Sequence, residues 1–388
     1  MKAPKVSIVC VGTFHHFDLA RQLFQRNMLE RIFTGYPRWK LKSEQLPRQM
    51  VTTFPWLQVP YILLSRWGIL NDGLKKDVAW WAHKTLDDFV TAVLPDSDIL
   101  FALSSSGLKS GIQMQNRGGK FVCDRGSSHI RFQDSILREE YARWNVFSSG
   151  VEPRMIERDE AGYEVADIIT IPSSFAFRTF IDAGIPEEKL RKVPYGVDIG
   201  RYKKIADPRT GSFDVLFVGQ VSFRKGIPYL LEAFRLLRHP HKRLRIVGAI
   251  QPEIEPYLAS QELPDQVEFL KPVPRDDLQD LMSRAHVMVI PSIEEGLALV
   301  QGIALACGCP VIGTTNSGAE DLYTDGKEGF IVPIRDARII ADKMQELADD
   351  SGKRQSMSEA ALKRVETLGG WETYGAMMAK VLTDLCSD

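Results

Sequence analysis

Short apolar runs alternate with helix-length amphipathic segments along the chain, the pattern of parallel sheets covered by helices. Residues 6–11 are the first apolar run and predict a buried strand, which Gly12-Thr13 closes ahead of a helix over 17–25. Further strands are predicted at 98–103, 120–123, 168–171 and 190–193, with helices near 74–93, 107–117, 134–144, 153–165 and 173–183. The rhythm then stops. Residues 202–212 (YKKIADPRTGS) are polar, aperiodic and contain Pro208 and Gly211, which predicts a linker. Beyond it the alternation restarts, with strands at 213–218, 244–247, 267–270, 287–290, 310–313 and 329–332 and helices near 226–237, 275–284, 297–306 and 336–348. A final helix is predicted over 371–385, after Gly369-Gly370. With 388 residues in all, the pattern predicts two α/β domains, 1–205 and 206–370.

One segment breaks the pattern. Residues 37–70 show no strand-helix order, yet hold Trp39, Phe54, Trp56, Tyr61 and Trp67 among Arg38, Lys40, Lys42, Arg48 and Arg66. Aromatics interleaved with cations suit a surface touching lipid headgroups or the wall of an acceptor site; an irregular insertion packed on the core leaves the same trace. Composition sharpens this. Net charge is −1, which gives no long-range field toward nucleic acid, but residues 1–90 carry 13 Lys and Arg against 7 Asp and Glu. That basic first segment points to an anionic surface or ligand on its side.

The remaining totals describe a globular chain, 44% hydrophobic and 26% charged. Cys10, Cys123, Cys307, Cys309 and Cys386 are scattered without zinc-site spacing and read as reduced thiols, the expectation for a cytoplasmic protein. The N-terminus runs directly into a strand rather than a secretory pattern, and residues 61–70, the most membrane-like stretch, are too short to span a bilayer.

Three motifs carry chemistry. In 217–226 (FVGQVSFRKG) a buried strand ends at Gly219 and a helix begins near Gly226, so Arg224 and Lys225 fall where the helix directs its free N–H groups. Dipole, amides and two cations together suit a diphosphate. In 291–299 (PSIEEGLAL) the loop places Glu295 at the carboxyl end of a strand, where open α/β sheets bind ligands. There it can accept hydrogen bonds from sugar or ribose hydroxyls, with Gly296 and the amides of Leu297, Ala298 and Leu299 facing phosphate or sugar oxygens; helix capping by Glu294 or Glu295 is the competing account. The third stretch, 306–313 (ACGCPVIG) followed by 316–321 (NSGAED), is a helix stop, a buried strand and a loop of small residues.

The order of these motifs, with "GFIVP" at 329–333, resembles the C-terminal domain of the retaining family 4 glycosyltransferases, the glycosyl transferases group 1. In the first half "ADIITIPS" at 166–173 and "KVPYGVD" at 192–198 are similar to further motifs of that family. The resemblance implies the α/β GT-B architecture: two Rossmann-like domains facing each other across a central cleft, with the last helix (371–388) crossing back to the N-terminal, acceptor-side domain. It implies that Arg224 and Lys225 bind the donor diphosphate and that Glu295 is the first glutamate of the family's pair spaced by eight positions. The second would fall at 303, where this chain has Ile303, so recognition of the ribose departs from the family pattern; Gln301 is the nearest polar residue.

On the N-terminal side the resemblance puts Gly12 and Thr13 in the loop that approaches donor phosphate, with His15 and His16 beside the acceptor. Asp124, Arg125 and His129 follow another strand; the family's active-site histidine lies near there, and spacing leaves Asp124 and His129 both open as catalytic candidates, with Arg125 on the acceptor side. The activity implied is transfer of a sugar from a nucleotide-diphosphate sugar to an acceptor hydroxyl with retention, in surface-polysaccharide or glycolipid assembly. No metal or cofactor is expected, because the two cations do a divalent ion's work. The partners expected are the nucleotide sugar, a sugar, glycolipid or polysaccharide acceptor, and the inner face of a membrane through 37–70. Two rivals remain: a non-catalytic nucleotide-sugar-binding relative, which Ile303 favours, and a nucleotide-sugar epimerase, which would need carboxylates poised for elimination. A dinucleotide dehydrogenase is excluded by the missing Gly-x-Gly-x-x-Gly after the first strand.

Overall fold

The structure, a computed structural model, describes residues 3–66, 72–147, 150–198 and 200–387. The described residues build two parallel sheets. The first holds β1 (Val6–Cys10), β2 (Leu29–Thr34), β3 (Val51–Thr53), β4 (Ile99–Leu103), β5 (Lys120–Asp124), β6 (Ile168–Ile171) and β7 (Leu190–Lys192), in the order β3-β2-β1-β4-β5-β6-β7. The second holds β8 (Phe213–Val218), β9 (Lys242–Val247), β10 (Val267–Leu270), β11 (Val287–Ile290), β12 (Val311–Thr314) and β13 (Gly329–Val332), in the order β10-β9-β8-β11-β12-β13. Each sheet winds outward from its first strand and then reverses, between β1 and β4 and between β8 and β11. Such a reversal opens a crevice at the carboxyl ends of the strands, and both halves of the molecule own one.

The central strands are buried on both faces, which explains their nearly continuous apolar sequences. In β1 (VSIVC) every residue is buried. Ile8 and Cys10 enter the layer beneath the helix His16–Gln25, while Val9 enters the layer on the other side of the sheet. The last helix, Trp371–Leu385, returns to this first half as expected: Tyr374, Met378 and Leu382 pack with Phe17, Leu19 and Leu23. Glycine makes that approach possible, since a Cβ added to Gly375 would lie 2.4 Å from the Gln22 Cβ.

Several elements escape the sequence pattern, among them β2, β3 and one long helix. β2 (LERIFT) alternates too weakly to announce itself, and β3 is a three-residue edge strand. The helix Ser351–Leu368 is polar over most of its surface; Met357, Ala361 and Val365, four apart, form its narrow buried stripe, and Asp350 caps its start by accepting from the Lys353 amide at 2.8 Å. The irregular segment resolves into 3-10 turns at Arg38–Glu44 and Arg48–Met50, then β3 and the helix Gln58–Arg66. Trp39 and Trp56 stand exposed on it, at 64% and 75%. Residues 67–70 of that segment, Trp67 included, lie outside the described residues. No described helix is long and apolar enough to cross a membrane.

Candidate functional site

The two crevices meet. On the second half, the loop after β8 folds against the loop after β11 so closely that a Cβ on Gly226 would sit 2.0 Å from the Pro291 carbonyl oxygen; Gly226 has φ +70°, the left-handed conformation glycine adopts without strain. This turn begins the helix Ile227–Leu236 and sets Arg224 and Lys225 at its entrance. The expected supply of free helix amides is reduced, because Gly226 N–H donates to the Phe223 carbonyl and Ile227 N–H reaches the Ser222 carbonyl. The loop's cations are therefore its main means of holding an anion.

Each cation faces a glutamate. Lys225 Nζ lies 2.5 Å from Glu295 Oε1, and Ser292 donates to Glu295 Oε2 at 3.1 Å. Arg224 donates through Nε to Glu294 Oε2 at 3.0 Å and to the Glu294 carbonyl at 3.1 Å. Glu295 is the carboxylate to which the motif draws attention, yet its neighbour is the more deeply embedded. Glu294 is fully buried and accepts from residues of the first half: Ser127 Oγ at 2.6 Å, Ser128 Oγ at 2.7 Å and Gln133 Nε2 at 2.9 Å. Burial alone would raise its carboxyl, but Arg224 and these donors outweigh that and hold it at about 2. Glu294 therefore does not cap the following helix; it is a bridge between the two halves.

The rest of the loop is only partly open to a ligand. The Ala298 amide, expected to face phosphate or sugar, donates instead to the Ser317 carbonyl at 3.1 Å, whereas the Leu297 amide has no protein partner among the described residues. Leu299 opens the helix Leu299–Ala306. Gly296 is a point of inter-half contact: its carbonyl accepts from Ser173 Oγ at 2.5 Å, and an added Cβ would meet the Gly126 carbonyl oxygen at 2.1 Å. Gln301 does not replace the missing glutamate. It is buried, donating to the Ser317 carbonyl at 3.0 Å and accepting from Tyr323 at 3.0 Å, while Ile303 is half-buried against the second core.

The first half brings together residues far apart in sequence. His15, in the loop after β1, places Nε2 2.8 Å from Asp124 Oδ2 at the end of β5; His16 Nε2 is 3.2 Å from the same oxygen, and Thr170 donates to Asp124 Oδ1 at 2.7 Å. Burial works against an ionised Asp124, yet His15 and then His16 hold its carboxyl well below the usual range. Burial, and then the neighbouring His15, lower His16 to about 4. Tyr195 lies against His15 with ring centroids 4.2 Å apart. The Gly12 carbonyl accepts from Thr34 Oγ1 at 2.8 Å, and Phe14, with φ +38°, covers Gly12 beside Thr13 while its own ring stays exposed.

Two expected site residues belong elsewhere. His129 caps the helix Ile130–Arg143, its ring nitrogen accepting from the Arg131 amide at 3.3 Å, and packs on Tyr163 and Phe180 beside a separate cavity of about 690 Å³. Asp124, not His129, joins the histidine cluster. Arg125 is buried rather than open to an acceptor, donating to Asp159 at 2.8 Å, to the Ser128 carbonyl at 3.0 Å and to Gln133 Oε1 at 3.0 Å. Among the described residues, His15, His16 and Asp124 are the one group whose metal-ligating atoms converge, within 4.8 Å. They fit an ion poorly, because His16 Nδ1 is buried without the acceptor that orients a metal-bound imidazole.

A second bridge lies on the same side of the cleft. Glu140, fully buried on the helix Ile130–Arg143, accepts from Tyr229 at 2.9 Å and Arg335 Nε at 2.7 Å, both in the second half, and from Trp144 at 2.8 Å. Sequence reading had no signal for either bridge, since the partners are 89 to 195 positions apart.

Comparison with known proteins adds an independent view. Residues 198–364 match the family described as glycosyl transferases group 1. The chain is 29% identical over 254 residues to a D-inositol 3-phosphate glycosyltransferase of Pseudarthrobacter chlorophenolicus, covering 60% of each chain. It is 28% identical over 243 residues to a GDP-mannose-dependent alpha-(1-6)-phosphatidylinositol monomannoside mannosyltransferase of Mycolicibacterium smegmatis, covering 56% of this chain and 62% of the relative. The matches span about half to three fifths of the length of the curated relatives. The fold is similar to that of Anabaena Alr3699/HepE solved with UDP, at a TM-score of 0.73 and 17% identity, covering 98% of this chain and all of that one.

Proposed function

Starting from the membership of residues 198–364 in the glycosyl transferases group 1 family, we propose that the protein is a retaining hexosyltransferase that moves a sugar from a nucleotide-diphosphate sugar to an acceptor hydroxyl. The observation that carries the reading is the pairing of Arg224 and Lys225 with two glutamates at the carboxyl end of the second sheet, opposite the His15–Asp124 cluster. Residues 206–370 are the donor domain in this reading, and residues 1–205 with 371–388 form the acceptor domain.

Arg224 and Lys225 neutralise the charge that grows on the leaving diphosphate as the bond from the anomeric carbon to phosphate oxygen breaks, an electrostatic contribution of about 3 kcal/mol in comparable sites. Glu295 accepts from hydroxyls of the donor sugar, and the Leu297 amide donates to its oxygens. Gly12, Thr13 and Gly219 let the donor approach the backbone. The acceptor oxygen attacks the anomeric carbon on the face the diphosphate leaves, and its proton passes to the departing phosphate oxygen. His15, the partly exposed member of the cluster, orients that acceptor, and the buried Asp124 and His16 hold it in place. No metal is needed, since the cations already balance the leaving group.

A lipid-linked acceptor at the inner face of a membrane fits the exposed Trp39 and Trp56 among Arg38, Lys40, Lys42 and Arg48, a combination that settles at headgroups. The phosphatidylinositol mannoside named for the Mycolicibacterium relative supports a glycolipid. Ile303 and the committed Gln301 support a second reading, a relative that binds nucleotide sugar without turning it over.

Thermal shifts with UDP, GDP and ADP, beside an Arg224→Ala/Lys225→Ala variant, test the donor site. One nucleotide should raise the melting temperature of the wild type alone by mass action. No shift with any of them removes the proposal. Nucleotide binding without release of nucleoside diphosphate from matching sugar conjugates, across a panel of acceptors, favours the non-catalytic reading, and an inverted anomer in the product excludes retention.

A further inference from the structure

Among the described residues Glu294 is a highly connected charge between the halves, and the donor reading gives it no task beyond its pairing with Arg224. Its carboxylate is fully buried. Oε1 accepts from Ser127 Oγ at 2.6 Å, Ser128 Oγ at 2.7 Å and the Ser128 amide at 3.2 Å. Oε2 accepts from Gln133 at 2.9 Å and from Arg224 Nε at 3.0 Å, with Arg224 Nη2 also 3.0 Å away. Three of the four partner residues belong to the first half. Gln133 is itself oriented by Arg125, which is anchored on the buried Asp159. A continuous polar chain thus runs from the interior of the acceptor half to a donor-site cation on the other half.

Arg224 is gripped along one edge. Nε and Nη2 face Glu294, and with 32% of its side chain exposed the guanidinium keeps donors to offer outward. A planar guanidinium binds phosphate well only when its fork is aligned, so whatever fixes its plane controls its use. We infer that Glu294 is a positioning residue through which closure of the acceptor half presents Arg224 to the donor diphosphate. When Ser127, Ser128 and Gln133 hold Glu294, Arg224 is aligned; when the halves separate, Glu294 loses three of its four partner residues and the alignment goes with them. The inference rests on the proposed donor site and adds a regulation to it: the half that binds acceptor sets how firmly the other half holds the diphosphate.

The test compares a nucleoside diphosphate with the corresponding monophosphate, because loss of alignment should weaken the second phosphate's contact and leave base and ribose contacts in place. The probes are UDP with UMP, GDP with GMP and ADP with AMP, titrated calorimetrically into the full chain. If the wild type binds none of them, the donor reading itself fails. If it binds one pair, Ser127→Ala/Ser128→Ala should lower the diphosphate-to-monophosphate affinity ratio about tenfold, although neither serine lies on the donor half. Merely structural damage would weaken both nucleotides together and leave the ratio alone. Should the double variant not fold, Ser127→Ala alone, at a half-buried position, should lower the ratio about threefold. Glu294→Gln, which sets an amide donor or a neutral oxygen against Arg224, should lower it as far as the double variant. An unchanged ratio overturns the inference. So does a raised one, which would mean that Glu294 competes with phosphate for Arg224 instead of presenting it.

Discussion

The two halves share a winding order and differ in how their sites are made. In the second half the residues that face the cleft lie within ten positions of each other on each of two loops, 219–226 and 291–299, and the cations pair with glutamates contributed by the neighbouring loop. In the first half the cluster is assembled from His15 and Asp124, 109 positions apart, with Thr170 and Tyr195 closing around them. The contrast teaches where chemistry can be read. A loop whose turn sets adjacent cations beside the glutamates of its neighbour is a local device; a carboxylate held by imidazoles from a distant part of the chain is a product of sheet order.

The comparison can be broken most sharply at Gly296, where the halves touch backbone to backbone. Gly296→Ala places a Cβ 2.1 Å from the Gly126 carbonyl oxygen, so one half must move. A displacement of about 1 Å can cost about 100-fold in rate. Turnover should fall by about that factor while the nucleotide still binds the second half within a few-fold; unchanged turnover would show that the contact is not part of the working arrangement.

Asp124→Asn sharpens the division of labour. The substitution keeps the shape and removes the charge that pairs with His15 and His16. Initial-rate kinetics should show kcat reduced about 30-fold, close to 2 kcal/mol, with nucleoside diphosphate affinity within twofold. An equal loss of nucleotide affinity would place Asp124 in the donor site and erase the distinction between the halves.

The smallest effect per residue is acid sensitivity. Burial lowers His16, His83 and His129 in the first half and His286 in the second, each to about 4. A histidine depressed in the folded state binds its proton first in the unfolded chain, so stability is full above the ordinary value near 6.5 and is lost as pH falls from there toward 4. The loss should be on the order of 1 kcal/mol for each such histidine at pH 6 and grow below it. Three of the four lie in the first half, so amide exchange relative to its intrinsic rate should rise more, at pH 5 against pH 7, over residues 3–192 than over 213–332. Equal rises in both would show that the asymmetry has no thermodynamic weight.

Legibility follows the same division. The central strands of the second sheet, β8, β11 and β12, were apparent because both faces are buried and the apolar runs are nearly unbroken. β3, three residues long, and the narrow stripe on Ser351–Leu368 carried too little periodicity to register. Arg224 and Lys225 were visible because their position between strand and helix is itself a statement about geometry. Glu294 was passed over for Glu295, since two adjacent glutamates differ only in which side of a loop each occupies. His129 and Arg125 drew attention by following a strand, yet their side chains turn into the first half as a helix cap and a buried ion pair.

By itself, the sequence determined that the chain makes two parallel α/β units, where most of the central strands lie, and which family its second unit resembles, because burial pattern, turn residues and motif order are local properties. Only the tertiary structure decided that Asp124 sits with His15 and His16, that Gly296 abuts Gly126, and that Glu294, paired with Arg224 on its own half, reaches across the cleft to Ser127, Ser128 and Gln133. Those contacts depend on the order of strands in a sheet and on the docking of two sheets. Burial then does the rest, because a carboxylate removed from water must find donors wherever the fold has brought them within reach.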